Sequence, residues 1–205
     1  NGAHFEAYTL LAAMAAETQH ADIGALVTCN SYRNPHLLAD MARTIDHISN
    51  GRFVLGIGSG WFERDYEEYG YEFGTAPERL RELARALPTI MDRLSRLEPP
   101  PRGRLPILVG GSGEKVTLRL VAEHADMWNS FGPPEHFAAK NRVLDEWCAR
   151  LGRNPRQIER TCAIDGPEVD NWPAYLDAGA DHLIVMAGPP FDLDPLRRLL
   201  DHARG

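Results

Sequence analysis

Short, mostly apolar segments alternate with helical segments along this chain, and that alternation is the feature that most constrains its fold. Six segments have the length and β-branched content of strands, at 23–29, 52–58, 107–109, 125–128, 158–164 and 182–186. Strands that are apolar on both faces need cover on both faces, as in a parallel sheet flanked by helices. The pattern therefore predicts an α/β fold.

The number of strand–helix units favours a barrel over an open sheet. Each of the six strands precedes a helix, and one further helix, at 8–17, stands before the first strand. A closed (β/α)8 barrel needs eight such units and about 250 residues. We therefore expect a (β/α)8 TIM barrel whose first two strands are absent from the sequence. We expect one barrel domain over 1–205, incomplete at its N-terminus and at abrupt joints near 97–98 and 165–166.

Charge and composition exclude several classes of partner and site. The net charge of −7 argues against nucleic acid or an anionic membrane, which would need clustered Lys and Arg. The sequence has neither a run of 18 apolar residues nor a signal peptide pattern, so we expect a cytoplasmic protein. Its histidines and three cysteines lack metal-ligand spacing, so no metal site is predicted, and Cys148 and Cys162 are expected to be buried as small hydrophobes.

Two predicted strands end in glycine-rich turns, a pattern typical of phosphate binding. Residues 106–113 read PILVGGSG and precede a helical pattern at 114–123. Glycines let the backbone approach a ligand, and the next helix offers unpaired N–H groups and the positive end of its dipole. Residues 53–60, FVLGIGSG, end in the same way. Each turn is equally compatible with a tight strand–helix connection that binds no ligand. Two glycine-ended strands in one α/β chain could, however, line the same rim of the fold.

Longer segments carry a family resemblance. IGALVTCNSYRNP at 23–35 and ARTIDHISNGRFVLGIGSGW at 42–61 resemble the bacterial luciferase-like monooxygenase superfamily. Within it, WFER at 61–64, GGSG at 110–113 and ADMWN at 125–129 are similar to actinobacterial coenzyme F420-dependent oxidoreductases. The resemblance covers nearly the whole chain. It implies a (β/α)8 barrel, in agreement with the strand count, and coenzyme F420 or, alternatively, FMN as the cofactor.

The resemblance also implies which residues contact the cofactor. The family's third strand ends in a bulge, often with a non-prolyl cis peptide, that presses on the cofactor ring and corresponds to 25–28 here. The segment after the next strand contacts the cofactor tail or the substrate, and 110–113 contact the phosphate. The implied cofactor-binding residues are Leu26, Val27, Thr28, Asn30, Ser59, Gly60, Trp61, Arg64, Gly110, Gly111, Ser112, Gly113, Trp128 and Asn129. For three of them a structural role is an open alternative: Thr28 as a strand-end hydroxyl bonded to its own backbone, Arg64 as a solvated arginine and Trp128 as a core residue.

The activity that the resemblance implies is hydride transfer between reduced coenzyme F420 and a small organic substrate. The protein then orients the cofactor, excludes water and provides a proton. The catalytic residue is unknown, because the family's proton-handling residue often follows the second strand, which this sequence lacks. The alternatives are an FMN-dependent monooxygenase that activates oxygen and a non-catalytic barrel that has lost cofactor binding. A homodimer is also left open, with the helix at 35–48 as core or dimer face.

Overall fold

The computed structural model describes residues 4–204. Contacts divide the chain into two compact units, Asn1–Gly110 and Gly111–Gly205. In both units parallel strands are connected by helices, so the predicted α/β class is confirmed. No helix in the described part of the chain is long and apolar enough to cross a membrane. Within the same residues no group of His, Cys, Asp and Glu side chains is placed to hold a metal ion.

The first unit is arranged around one central strand. Its elements are α1 (Ala7–Glu17), β1 (Ile23–Gly24), β2 (Thr28–Cys29), α2 (Pro35–Ile48), β3 (Phe53–Gly58), α3 (Glu63–Tyr69), α4 (Ala76–Arg96) and β4 (Ile107–Gly110). Strand β3 pairs in parallel with β1, β2 and β4. Helices α2 and α4 pack on each other, and their apolar side chains are buried, as Leu38 and Leu87 illustrate.

The second unit repeats the alternation of strand and helix. Its elements are α5 (Thr117–His124), β5 (Met127–Ser130), α6 (Pro134–Leu151), β6 (Glu159–Asp165), α7 (Trp172–Asp177), β7 (His182–Met186) and α8 (Asp194–Arg204). Strand β6 pairs in parallel with β5 and β7. Cys148 and Cys162 are fully buried, as predicted, and burial raises the pKa of the Cys162 thiol to about 12.

Most predicted elements are present, and the differences have local causes. Helix α5 begins at Thr117 rather than at 114, because 114–116 form a turn. The segment between β3 and α4 contains the short helix α3. A helix, α7, does follow β6 after a 3-10 segment at Gly166–Asn171. We predicted that segments are absent at the N-terminus and at the joints near 97–98 and 165–166, and this remains a prediction.

The apolar segment at 23–29 is not one strand, because a bulge separates β1 from β2. The Leu26–Val27 peptide is cis and lies within 25–28, where the resemblance implies such a peptide. A Cβ atom added to Gly56 would collide with the carbonyl oxygen of Ala25 in this bulge. Glycine at position 56 therefore gives the bulge the space it occupies against β3.

The side chain of Val27 explains why glycine occupies two further positions in the first unit. A Cβ on Gly58, at the end of β3, would lie 2.8 Å from Cγ2 of Val27. A Cβ on Gly110, at the end of β4, would lie 3.0 Å from Cγ1 of the same side chain. Val27 thus fills the space that these two glycines leave open.

In each unit, an arginine that comes after one helix caps the end of the previous helix in the chain. The arginine directly follows a glycine: Gly51 after α2 in the first unit and Gly152 after α6 in the second. In the first unit, Arg52 follows Gly51 and donates to carbonyl oxygens of Ala15, Thr18 and Ala21 and to the hydroxyl of Thr18. In the second unit, Arg153 follows Gly152 and donates to carbonyl oxygens of Val121, Ala122 and Ala125. The last carbonyls of a helix lack intrahelical partners, and a cation there also interacts favourably with the helix dipole.

Replacement of Arg52 by alanine is expected to lower the free energy of unfolding by about 2 kcal/mol, since several carbonyls at the end of α1 lose charge-assisted hydrogen bonds. Urea denaturation followed by circular dichroism measures the change. The control is Arg142→Ala, because Arg142 is exposed on α6 and its loss should cost less than about 0.5 kcal/mol. Equal losses in the two variants would contradict the capping role.

Replacement of Gly58 by alanine is expected to destabilise the first unit by about 1–3 kcal/mol, because the new methyl group overlaps Val27. Thermal denaturation of Gly58→Ala, Val27→Ala and the double variant tests the contact. The double variant should be less destabilised than the sum of the two single variants. Gly188→Ala is the control, since nothing lies within 4 Å of a Cβ there. Strict additivity would show that the overlap with Val27 is not the cause.

Candidate functional site

The turn Gly111–Gly113 is held in place by β5. The N–H group of Gly111 donates to the carbonyl oxygen of Asn129 at 3.0 Å, and the indole Nε1 of Trp128 donates to the carbonyl oxygen of Gly111 at 2.8 Å. The hydroxyl oxygens of Ser112 and Ser130 are 2.6 Å apart. Gly111 has a φ of 125°, a conformation that favours glycine. Strand β5 thus holds Gly111 and Ser112 of the turn in place.

The surroundings of this turn suit an anion. Within the described chain, the residue before α5, Val116, offers no side-chain cap, and the first turn of α5 carries no acidic residue. The ammonium group of Lys140 lies 2.6 Å from a carboxylate oxygen of Glu114, and this hydrogen bond lowers the pKa of that carboxyl group. Lys115 is exposed in the next turn, at 114–116. Backbone amides, a hydroxyl and a nearby cation are the groups that hold phosphates at helix N-termini, so the residues fit a phosphoryl group.

Trp128 belongs to the core of the second unit. It is fully buried, and its ring stacks on that of Phe137 from α6 with 5.2 Å between the centroids. This burial agrees with the core alternative for Trp128. Trp128 acts on the turn through its hydrogen bond to Gly111.

Asn129 is fully buried next to the turn. Its Nδ2 donates to Oγ1 of Thr161 at 2.8 Å, while its Oδ1 has no hydrogen-bond partner among the described residues. An unpaired buried acceptor costs about 1–3 kcal/mol. This oxygen can accept a hydrogen bond from a ligand or from a buried water.

In the first unit, Thr28 is tied to an arginine. The hydroxyl of Thr28, 6 % exposed, accepts from Nη1 of Arg33 at 3.1 Å, so its observed partner is a side chain rather than its own backbone. Arg33 also pairs with Glu6 and lies over the ring of Tyr8. Partial burial raises the pKa of Glu6, but hydrogen bonds from the backbone N–H groups at Thr9 and Tyr8, together with Arg33, bring it down to about 2. Arg33 therefore keeps an ionised partner.

Asn30 presents a free amide inside the first unit. It is 8 % exposed, and no hydrogen bond of its side chain is found among residues 4–204. It lines a cavity of about 380 Å³ together with Ser31, Arg33, Arg85 and Thr89. The amide can donate and accept at once, so it can recognise a ligand edge that offers both groups.

The segment after β3 is explained by packing inside the first unit. A Cβ on Gly60 would collide with the hydroxyl of Tyr66 and the thiol of Cys29, and Nε of Arg79 donates to the carbonyl oxygen of Gly60 at 3.1 Å. Packing therefore explains the glycine at the end of β3, and its presence is not independent evidence that this turn binds a ligand. Ser59 is half-buried at the same strand end.

Exposed side chains follow this glycine. Trp61 is 81 % exposed and Phe62 is 45 % exposed, with 5.3 Å between their rings. Arg64 pairs with Glu68 at 2.8 Å on the exposed side of α3. This pairing agrees with the solvated alternative for Arg64. Leu26 is also partly exposed, beside the half-buried Val27.

Within each unit, some residues of the predicted set contact one another. Gly111, Ser112, Trp128 and Asn129 contact one another in the second unit. Val27 contacts Gly110 in the first. Sequence reasoning missed Ser130 and Arg33. The available signal for Ser130 was a hydroxyl residue directly after the ADMWN segment.

Comparisons with known proteins agree with this fold. The model of the luciferase-like monooxygenase family matches residues 1–165. The pyrimidine monooxygenase RutA of Caulobacter vibrioides is 30 % identical over 204 residues, which cover 87 % of this chain and 56 % of the relative. The chain thus spans about half the length of the curated relatives it matches.

Two solved structures have a similar fold at low sequence identity. An F420-dependent secondary alcohol dehydrogenase in complex with an F420-acetone adduct has a TM-score of 0.79 at 15 % identity, over 90 % of this chain and 79 % of that one. The coenzyme F420-dependent tetrahydromethanopterin reductase from Methanopyrus kandleri has a TM-score of 0.77 at 15 % identity, over 96 % of this chain and 86 % of that one. The predicted fold class, an α/β fold of the (β/α)8 type, is confirmed. With a family match over 165 of its 205 residues, the chain belongs to the luciferase-like monooxygenase family of oxidoreductases.

Proposed function

We propose that the chain belongs to an oxidoreductase that uses reduced coenzyme F420 for hydride transfer to or from a small organic substrate. The observation that carries the proposal is the turn Gly111–Gly113, in which a hydroxyl, backbone amides and the start of α5 suit a phosphoryl group. Coenzyme F420 and FMN both carry a redox ring and a phosphoryl group. The likeness to two F420-dependent enzymes supports F420 as the first candidate.

The chain's own residues would bind and orient the cofactor, which supplies the hydride when bound. Leu26 and Val27 offer an apolar surface to the ring. The amide of Asn30 matches the adjacent N–H and C=O groups at the pyrimidine edge of the ring. Gly111, Ser112 and Gly113 hold the phosphoryl group, and Trp61 helps to exclude water.

The other cofactor contacts implied by the resemblance stay proposals. They involve Thr28, Ser59, Gly60, Arg64, Gly110, Trp128 and Asn129. Of these, Trp128 would act indirectly, through Gly111, and Asn129 has the free oxygen described above. The proton donor is not assigned to any residue. A homodimer likewise stays a proposal.

The second candidate is an FMN-dependent monooxygenase. It is favoured by the 30 % identity to a pyrimidine monooxygenase, which also suggests a pyrimidine-type substrate. Reduced flavin activates oxygen, whereas a reduced deazaflavin does so poorly. Oxygen consumption therefore separates the two candidates.

Titration of the purified protein with coenzyme F420 and with FMN, followed by cofactor fluorescence, tests the proposal. We expect F420 to bind with a Kd below about 100 μM, which corresponds to about −5.5 kcal/mol, and more tightly than FMN. Oxygen uptake with reduced FMN should stay at the rate without protein. Tighter binding of FMN together with oxygen uptake would favour the second candidate. Absence of binding by either compound would contradict both.

Replacement of Asn30 by alanine is expected to weaken F420 binding about tenfold, because the ring edge loses hydrogen bonds from a nearly buried amide. The same fluorescence titration measures it. Thr89→Ala is the matched control, since Thr89 lines the same cavity but its hydroxyl already donates to the carbonyl oxygen of Arg85 at 2.9 Å. If the control loses as much affinity as Asn30→Ala, or if neither variant loses any, the role of Asn30 is refuted.

A further inference from the structure

A second hydroxyl lies behind the proposed phosphoryl contact. Ser112 and Ser130 have their hydroxyl oxygens 2.6 Å apart. Ser130 is 0 % exposed at the end of β5, whereas Ser112 is half-buried in the turn. A hydroxyl has one hydrogen, so in such a pair one hydroxyl donates and the other keeps its hydrogen for a third group.

The geometry favours Ser130 as the donor. Among the described residues, the other acceptor found near its hydroxyl is the carbonyl oxygen of Phe131, at 3.5 Å. That distance is too long for a good O–H···O bond, which lies between about 2.5 and 3.0 Å. Ser112 is therefore the better acceptor for the Ser130 hydrogen, and the hydrogen of Ser112 stays available to a ligand.

Ser130 is also held rigidly. It pairs with Cys162 in the register of β5 and β6. It is the last of three consecutive residues, after Trp128 and Asn129, that each make one contact with Gly111 or Ser112. The end of β5 thus acts as a template for the turn.

We propose that Ser130 is a positioning residue that orients the hydroxyl of Ser112 towards the phosphoryl group of the cofactor. The inference rests on the proposed function. Because Ser130 is fully buried, it acts through Ser112 and does not touch the ligand. Its effect should therefore depend on two things: the presence of Ser112 and the presence of a phosphoryl group.

Matched ligand pairs test this dependence. The pairs are FMN with riboflavin, and coenzyme F420 with the same deazaflavin ring and ribityl chain lacking the phosphoryl tail. Kd values are measured by fluorescence for the full chain and for Ser112→Ala, Ser130→Ala and the double variant. Ser95→Ala is the control, since this serine is exposed on α4 and its hydroxyl donates to its own helix. Melting temperatures show whether each variant is folded.

We expect Ser112→Ala to weaken binding of the phosphorylated ligand about tenfold and Ser130→Ala to weaken it about fivefold. The double variant should bind no more weakly than Ser112→Ala, and the ligands without a phosphoryl group should bind all proteins equally. Ser95→Ala should leave every Kd unchanged.

Three results would overturn the inference while leaving the proposed function intact. The first is an unchanged Kd in Ser130→Ala. The second is an equal loss of affinity for both members of a ligand pair, which would indicate a merely structural role. The third is additive losses of affinity in the double variant. Failure of the unaltered protein to bind any of the four ligands would instead refute the proposed function, and this inference with it.

Discussion

The attachment of the Gly111–Gly113 turn to the end of β5 is the interaction on which the candidate site depends. Two main-chain groups of Gly111 and the hydroxyl of Ser112 are held by three successive residues of one strand. A turn fixed in this way keeps its donors in one arrangement before any ligand arrives. Such preorganisation reduces the entropy that binding must offset. Trp128 therefore supports the site from the core: its ring packs against Phe137, and its indole N–H group holds Gly111.

Similar glycine patterns have different causes in the two units. In the first unit, the glycines at the end of β3 make room for the Ala25–Val27 bulge and for the side chains of Tyr66 and Cys29. In the second, Gly111 adopts a positive φ in a turn beside an exposed lysine and the start of a helix. The residue type alone does not separate these cases, because the partners of β3 glycines come from distant positions in the chain.

The strand and helix pattern could be predicted because its signals are local. Pro134 at the start of α6 and Gly152 directly after its last residue are such local signals. Helix α5 begins three residues later than predicted, because 114–116 form a turn, and β5 lies two residues later than predicted, at Met127–Ser130. The pairing of Ser112 with Ser130, the tie between Thr28 and Arg33 and the free amide of Asn30 depend on tertiary contacts. For the cofactor contacts, the family resemblance supplied information that single-residue patterns lack.

The position of the phosphoryl group in a crystal structure of the protein with bound coenzyme F420 tests the central claim most directly. The account predicts phosphoryl oxygens within hydrogen-bond distance, about 2.5–3.2 Å, of the Ser112 hydroxyl and of the backbone N–H groups of Ser112 and Gly113. A phosphoryl group bound elsewhere, with the turn contacting only solvent, would contradict it.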